Sequence, residues 1–356
     1  MELIQVNTGK PYQVKIGEGL LAAVGAELKQ LNTRYSRVAV IADSNVAPLY
    51  SARVCESIGA EGYSVLPFTF PAGESSKSMN AAMEIISWLT DSSFTRGDLL
   101  VALGGGVTGD LVGFIASIYL RGVDYVQIPT TLLAAIDSSV GGKTAVNIPQ
   151  GKNLVGSFWQ PRLVLCDTAT FFTLPENIFT DGVAEAVKYG CIWDKTLFEA
   201  LSNPGWRNSS LEQVVARCVA IKAEIVAQDE RDKGLRQILN FGHTVGHAVE
   251  KLSGFGVSHG SAVAIGMCVI ARCGEAAGLT APGTEAAIEE AMRSYHLPTR
   301  LEYGIPQVAA ACLGDKKREG DSINLITIPE IGKWAITPLP VEQLEEFLKE
   351  GENRNG

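Results

Sequence analysis

Positive charge is in deficit: 30 Lys and Arg stand against 39 Asp and Glu, a net charge of -9 at pH 7. That argues against a broad nucleic-acid surface, which needs clustered positive charge. A small basic pocket for an anionic substrate remains compatible with it. Long apolar runs are missing too. The longest uncharged one, residues 260–271, falls far short of the ~20 residues a spanning helix needs, so no membrane partner is expected. No apolar run follows the first charges, so no signal peptide is expected either. The seven cysteines are odd in number, with no C-x-x-C pair, as in a cytoplasmic enzyme with reduced thiols rather than a secreted disulfide framework. No repeat period or low-complexity tract appears. With 46% hydrophobic and 19% charged residues the chain reads as globular and cytoplasmic, and its 356 residues suggest two domains.

Histidine is also scarce. Of only four, three (His243, His247 and His259) fall within seventeen residues. Residues 236–250, R-Q-I-L-N-F-G-H-T-V-G-H-A-V-E, read as one helix of about four turns. On it Asn240, His243, His247 and Glu250 share a face at spacings of three and four. Two histidines four apart can offer both imidazoles to one metal ion; two solvated or core histidines are the alternative. Arg236 and Asn240 nearby, with the small residues Gly242, Gly246 and Ala248, favour a metal or anion site.

The first third alternates strand and helix patterns, which implies βαβ units and a parallel sheet covered on both faces. Residues 38–42 form a buried strand ending at Asp43 and Asn45. Residues 99–103 form a continuous apolar strand that runs into Gly104-Gly-Gly-Val-Thr-Gly109-Asp110 and then a helical pattern. Formally this is G-x-G-x-x-G in its required strand–helix context, and the spacing suits a phosphate-cradling loop; a tight packing turn is the plainer reading. It follows a later strand, and the acidic residue about twenty positions on has no clean counterpart, so an ordinary dinucleotide fold is not expected. The turn-rich segment that follows carries Asp137, Lys143, Lys152 and Asn153. Its G-G-K-T places a lysine in a glycine turn suited to an anion, although the Walker A spacing fails.

After residue 174 the pattern turns helical, apart from a basic loop and a strand read over residues 315–328. Asp181, Glu185 and Lys188 share one helix face; surface i,i+4 pairing is the usual reading of such charges, but their apolar neighbours suggest a covered helix. A Glu with two His would make a catalytic zinc set, three protein ligands with open positions.

Together these segments resemble the 3-dehydroquinate synthase family of sugar-phosphate cyclases over nearly the whole chain. The motifs are G-E-x-x-K (residues 73–77), G-G-G-V-T-G-D, P-T-T-L-L-A-A-I-D-S-S-V-G-G-K-T, G-K-N-L, D-G-V-A-E-A-V-K-Y-G, L-N-F-G-H-T-V-G-H-A and H-G. The resemblance implies an α/β N-terminal NAD-binding (Rossmann-like) domain over residues 1–174 and an all-α C-terminal metal-binding domain over 175–356. It implies Glu185, His243 and His259 as ligands of a divalent metal, zinc or cobalt, and moves His247 to the substrate. For NAD the matching positions are Asp43, Asn45, Glu74, Lys77, Gly105, Gly106, Asp110, Thr130, Thr131, Lys143 and Lys152. For substrate they are Asp137, Lys143, Asn153, Lys188, Lys222, Arg236, Asn240 and His247, with Lys316 (or Lys317) from the basic loop. Arg121 would reach a neighbouring subunit's site, so a homodimer is implied. Ser261 departs from the acidic residue that many relatives carry after H-G. The implied reaction converts 3-deoxy-D-arabino-heptulosonate 7-phosphate to 3-dehydroquinate and phosphate. It runs through transient NAD oxidation, phosphate elimination, reduction, ring opening and aldol closure.

Overall fold

The runs Arg37–Asp43 and Leu99–Gly104 are apolar almost throughout and buried along nearly their whole length. Strands of that composition fit only inside a parallel sheet with both faces covered, and a computed structural model of the chain places them there. It describes every residue except 32, 34, 314–317, 320 and 353–356, and only the backbone of 318, 319 and 352. Lys316 and Lys317 therefore lie outside the described residues. The chain forms two compact units, Met1–Pro175 with Val215–Arg231, and Glu176–Val214 with Asp232–Gly356. The sequence division at 174/175 put residues 215–231 in the helical half. The structure packs them with the α/β unit instead.

The first unit contains strands β1 (Glu2–Val6), β2 (Tyr12–Gly17), β3 (Arg37–Asp43), β4 (Ser64–Phe70), β5 (Leu99–Gly104), β6 (Asp124–Pro129), β7 (Lys143–Ile148), β8 (Gly151–Phe158) and β9 (Leu163–Asp167). Its helices are α1 (Val24–Lys29), α2 (Ala47–Ala60), α3 (Met79–Asp91) and α4 (Gly106–Ile118), together with residues 215–228 of a later helix. Seven strands make one sheet in the order β1-β2-β9-β6-β5-β3-β4, and β7 and β8 form a separate hairpin. Only β1, paired with β2 at the edge, runs antiparallel in the large sheet. Alternate residues of one strand serve opposite cores. Val38, Val40, Leu99 and Val101 meet α2 through Val54 and Ile58, while Ala39, Ile41, Leu100 and Ala102 meet Ile85 of α3 and Leu111 and Ile115 of α4.

The chain lays β4 on one side of β3 and then β5 on the other, so successive helices change faces there. In doubly wound sheets such a reversal opens a crevice at the carboxyl ends of the two strands, where ligands bind. The glycine loop follows β5 because β5, not the first strand, borders that crevice. This accounts for the unusual position of the motif in the sequence.

The second unit is built from α5 (Glu176–Ile192), α6 (Lys195–Leu201), α7 (Trp206–Ser209), the start of α8 (Leu211–Gln228), α9 (His243–Leu252), α10 (His259–Ala276), α11 (Thr284–Arg293), α12 (Ile305–Leu313) and α13 (Leu344–Glu352). It also carries a three-stranded antiparallel sheet, β10 (Arg318–Glu319), β11 (Ser322–Thr327) and β12 (Ala335–Pro340). The helical reading of this half anticipated one of those strands. Helix α10 is buried along nearly its whole length, as befits a helix that is apolar all round.

The single helix expected over residues 236–250 is broken. A 3-10 turn spans Leu235–Asn240, Phe241 is extended, and Gly242 takes a left-handed φ of 78° before α9 starts at His243. Packing gives the reason. A Cβ on Gly242 would lie 2.6 Å from Met267 Cγ and 2.9 Å from the Val263 carbonyl oxygen, and one on Gly266 would lie 1.9 Å from the Gly242 oxygen. Helices α9 and α10 thus touch backbone to backbone, which no regular helix through a side-chain-bearing residue would permit. Gly266→Ala should therefore destabilise the protein by about 1–3 kcal/mol or more, read as a lowered urea midpoint. An unchanged midpoint would contradict this packing.

Candidate active site

The buried end of α5 presents Glu185 and Lys188, both with almost no exposure. Their contact is an ion pair between Lys188 Nζ and Glu185 Oε2. The other carboxylate oxygen, Oε1, lies 3.3 Å from His243 Nε2 and 3.1 Å from His259 Nε2. His243 opens α9 and His259 opens α10, so two helix starts and one helix interior converge. One ligand atom each from Glu185, His243 and His259 lies within 4.8 Å of the others. A second set, His247, Glu250 and His259, meets the same limit. The two sets differ in which nitrogen of His259 they use: Nδ1 faces Glu250 Oε2 at 3.4 Å, leaving Nε2 to Glu185. His243 is oriented likewise, its Nδ1 3.1 Å from the Phe241 carbonyl oxygen. Ring nitrogens held from behind by a carbonyl or carboxylate are the usual support of metal-bound histidines, which favours the Glu185 set. His247, which the sequence paired with His243 on one metal, stands edge-on to it at 5.5 Å between ring centres.

The electrostatics suit a cation. Burial alone would raise the Glu185 carboxyl, but the charges of Lys188 and His243 outweigh it and hold the group well below the usual range. Burial pushes His243 down to about 3 despite Glu185. At His259 burial is overcome by the hydrogen bonds and charges of Glu185 and Glu250, and the imidazole rises to about 10. The donors that meet here, one carboxylate held ionised and two imidazoles, suit zinc or cobalt.

In the first unit the end of β5 runs into Gly105, which starts α4 without any side-chain cap. Gly105 has no side chain that could cap the first-turn amides, which suits an anion site. A Cβ on Gly105 would come within 3.1 Å of Thr131, and one on Gly106 within 3.2 Å of Ser138. Across the crevice Asp43, ending β3, accepts from the Asn45 amide at 2.9 Å and from the Thr108 hydroxyl at 3.2 Å. The Thr130 hydroxyl is buried without a partner among the described residues. An orphaned buried hydroxyl beside a glycine cradle fits a polar ligand such as a dinucleotide.

Beside the crevice, buried Lys77 pairs with Asp110 and donates to Asn153 Oδ1 at 2.6 Å. Burial raises the Asp110 carboxyl against the pull of Lys77. Asn147 ties Glu74 at 2.7 Å to the Asn153 amide at 2.9 Å. The family resemblance gave Asn153 to the substrate and Glu74, Lys77 and Asp110 to NAD; these four lie in one network with Asn147. Asn153 has φ 55°, a left-handed conformation that asparagine tolerates better than most residues. Asp137 lies on a π-helical turn, Ala134–Ser138, and accepts from Lys222 Nζ at 2.8 Å. Such turns often mark functional positions. The G-G-K turn is now explained: Gly141 and Gly142 have φ 95° and 65° and deliver an exposed Lys143 to the start of β7. Lys152 is half-buried on β8.

In the second unit Arg236 is buried on the 3-10 turn that Asn240 ends. Arg121 is exposed at a turn where Leu120 and Arg121 both have positive φ. Sequence reasoning assigned no role to Thr108, Asn147 or Glu250. Glu250 was legible as a member of the histidine face; Asn147 carried no signal.

A buried Glu–His–His cluster in a helical unit, and a glycine cradle at the sheet reversal of an α/β unit, define the sugar-phosphate cyclase class. The solved structure of 2-deoxy-scyllo-inosose synthase, complexed with carbaglucose-6-phosphate, NAD+ and Co2+, is similar at TM-score 0.88 and 26% identity, over 98% of this chain and 100% of that one. A 2-epi-5-epi-valiolone synthase from Streptomyces hygroscopicus subsp. jinggangensis 5008, with NAD+ and Zn2+ bound, is similar at 0.87 and 27%, over 96% and 97%. Within that class the chain belongs to the 3-dehydroquinate synthase family. Residues 67–181 match the N-terminal and 182–318 the C-terminal 3-dehydroquinate synthase family domain. The 3-dehydroquinate synthase of Streptococcus suis (strain 05ZYH33) is 42% identical over 345 residues, 95% of this chain and 97% of that one.

Replacing His243 by Ala should abolish stoichiometric metal binding while the fold is kept, as read by metal analysis and circular dichroism. Full metal content in that variant would remove His243 from the ligand set.

Proposed function

We propose that the chain is a carbon–oxygen lyase acting on a phosphate, converting 3-deoxy-D-arabino-heptulosonate 7-phosphate to 3-dehydroquinate and phosphate in the shikimate pathway. The observation that carries this reading is the convergence of Glu185, His243 and His259 within 4.8 Å in a chain 42% identical to a 3-dehydroquinate synthase over nearly its full length. Bound NAD would supply reversible hydride acceptance, and a divalent metal, zinc or cobalt, would supply Lewis acidity toward vicinal hydroxyls. Glu185, His243 and His259 would hold the metal. Asp43, Asn45, Glu74, Lys77, Gly105, Gly106, Asp110, Thr130, Thr131, Lys143 and Lys152 would hold NAD.

The remaining roles fall to the chain's own charges. Arg236 offers a rigid fork that matches a carboxylate bidentately, where lysine would offer a point charge. Lys143, Lys188 and Lys222 would supply the positive charge that a phosphate needs. Asn240, His247, Asn153 and Asp137 offer hydrogen bonds to hydroxyls. Much of the catalysis is then positioning and charge stabilisation. Arg121, exposed at its turn, would serve the neighbouring protomer's site in a cytoplasmic homodimer.

Incubation with the heptulosonate phosphate, metal and NAD in catalytic amount should release phosphate and yield 3-dehydroquinate without net NADH. One NADH accumulating per product would instead mark a dehydrogenase.

Arg236→Ala should lower kcat/KM by about 10²-fold or more, since charge-assisted hydrogen bonds contribute roughly 1.5–3 kcal/mol each. NAD and metal binding should stay near wild type. Arg236→Lys should recover only part of the loss. An unimpaired alanine variant, or efficient wild-type turnover of a sugar phosphate lacking the carboxylate, would refute the carboxylate reading.

A further inference from the structure

Helix α10 begins at His259, yet the residue before it, Ser258, makes no side-chain cap to its own helix. The cap comes from another helix. Asp181 of α5 accepts through Oδ1 from the backbone amide of Ser261 at 3.1 Å and from the Ser258 hydroxyl. The Ser258 and Ser261 hydroxyls lie 2.8 Å apart and close the arrangement. Ser261 is the third residue of α10, the position whose amide an N-cap side chain ordinarily satisfies. A carboxylate there also complements the positive helix end. The two helices abut at this point, because a Cβ on Gly260 would lie 2.1 Å from the Asp181 carbonyl oxygen. Asp181 stands one turn before Glu185 on the same helix. The element that supplies one member of the Glu–His–His cluster therefore also clamps the turn that carries another.

The imidazole of His259 is fixed from its far side. Glu250 is buried, and its Oε2 faces Nδ1 at 3.4 Å while Nε2 faces Glu185. An acceptor at Nδ1 selects the tautomer that keeps its proton there and leaves the Nε2 lone pair for a metal.

We propose that Asp181 and Glu250 are the positioning residues of His259, the first pinning its backbone by capping α10 from α5, the second setting its ring by accepting from Nδ1–H. This inference rests on the reading of Glu185, His243 and His259 as metal ligands. Neither carboxylate touches the metal or the substrate in it.

The test titrates chelator-stripped full-length protein with Co2+, following the visible absorption that reports coordination geometry. Glu250→Ala should weaken Co2+ binding 10–100-fold and alter the absorption bands, and Glu250→Gln, whose amide oxygen still accepts, should restore most of both. Asp181→Ala should weaken binding about 10-fold, and Asp181→Asn should restore it by the same reasoning. A merely structural role would lower the melting temperature of the metal-free protein without moving Co2+ affinity. Wild-type affinity in His259→Ala would overturn the ligand reading itself. Metal loss in His259→Ala with wild-type affinity in both Asp181→Ala and Glu250→Ala would overturn this inference alone. Two wild-type measurements stand even if an alanine variant does not fold. Histidine 15N NMR of the zinc-loaded protein should show His259 protonated at Nδ1 and coordinated through Nε2, and coordination through Nδ1 would refute the role of Glu250. Hydrogen exchange should show the Ser261 amide protected, and rapid exchange would refute the cap.

Discussion

A carboxylate with no exposure to water costs several kcal/mol unless positive charge surrounds it. Glu185 imposes that requirement on the second unit. Lys188, one turn away on the same helix, pairs in charge with one oxygen, and the imidazoles at the starts of α9 and α10 lie against the other. Both helix starts must then arrive at one point. The glycine contacts between α9 and α10, and the Asp181 clamp between α5 and α10, are the backbone arrangements that bring them there. Breaking a buried ion pair such as Lys188–Glu185 by removing one partner typically costs about 3–5 kcal/mol.

The first unit solves a different problem. A ligand with a pyrophosphate needs backbone amides and room for close approach, and the reversal of strand order between β3 and β5 supplies both at one crevice. A Cβ on Gly104, the last residue of β5, would lie 2.4 Å from the Thr108 hydroxyl, and side chains at Gly105 and Gly106 would press on Thr131 and Ser138 at 3.1 and 3.2 Å. The polar ring of Lys77, Asp110, Asn153, Asn147 and Glu74 lies beside it and is internally hydrogen-bonded. Its geometry is held by partners within the unit.

Local pattern in the sequence exposed much of this. The apolar runs of β3 and β5 were readable as buried parallel strands, and the glycine loop was recognisable, though its place late in the strand order made sense only with the sheet topology. The Glu185, His243 and His259 set came from the family resemblance, whereas residue spacing paired His243 with His247. Spacing on one helix cannot see a ligand brought in from a different helix, and His259 enters that way. The continuous helix through residues 236–250 failed for a related reason: the break at Gly242 is dictated by Met267 and Val263, twenty or more residues along the chain. The small sheet of the second unit and the assignment of residues 215–231 to the first were equally matters of tertiary packing. Asn147 had no local signature at all.

The account stands or falls on where a metal binds. Crystals grown with cobalt or zinc and measured by anomalous diffraction at that metal's absorption edge should show a single strong peak. It should lie about 2.0–2.2 Å from an oxygen of Glu185 and from Nε2 of both His243 and His259. A peak seated on His247, Glu250 and Nδ1 of His259 instead, or none near this cluster at saturating metal, would contradict it.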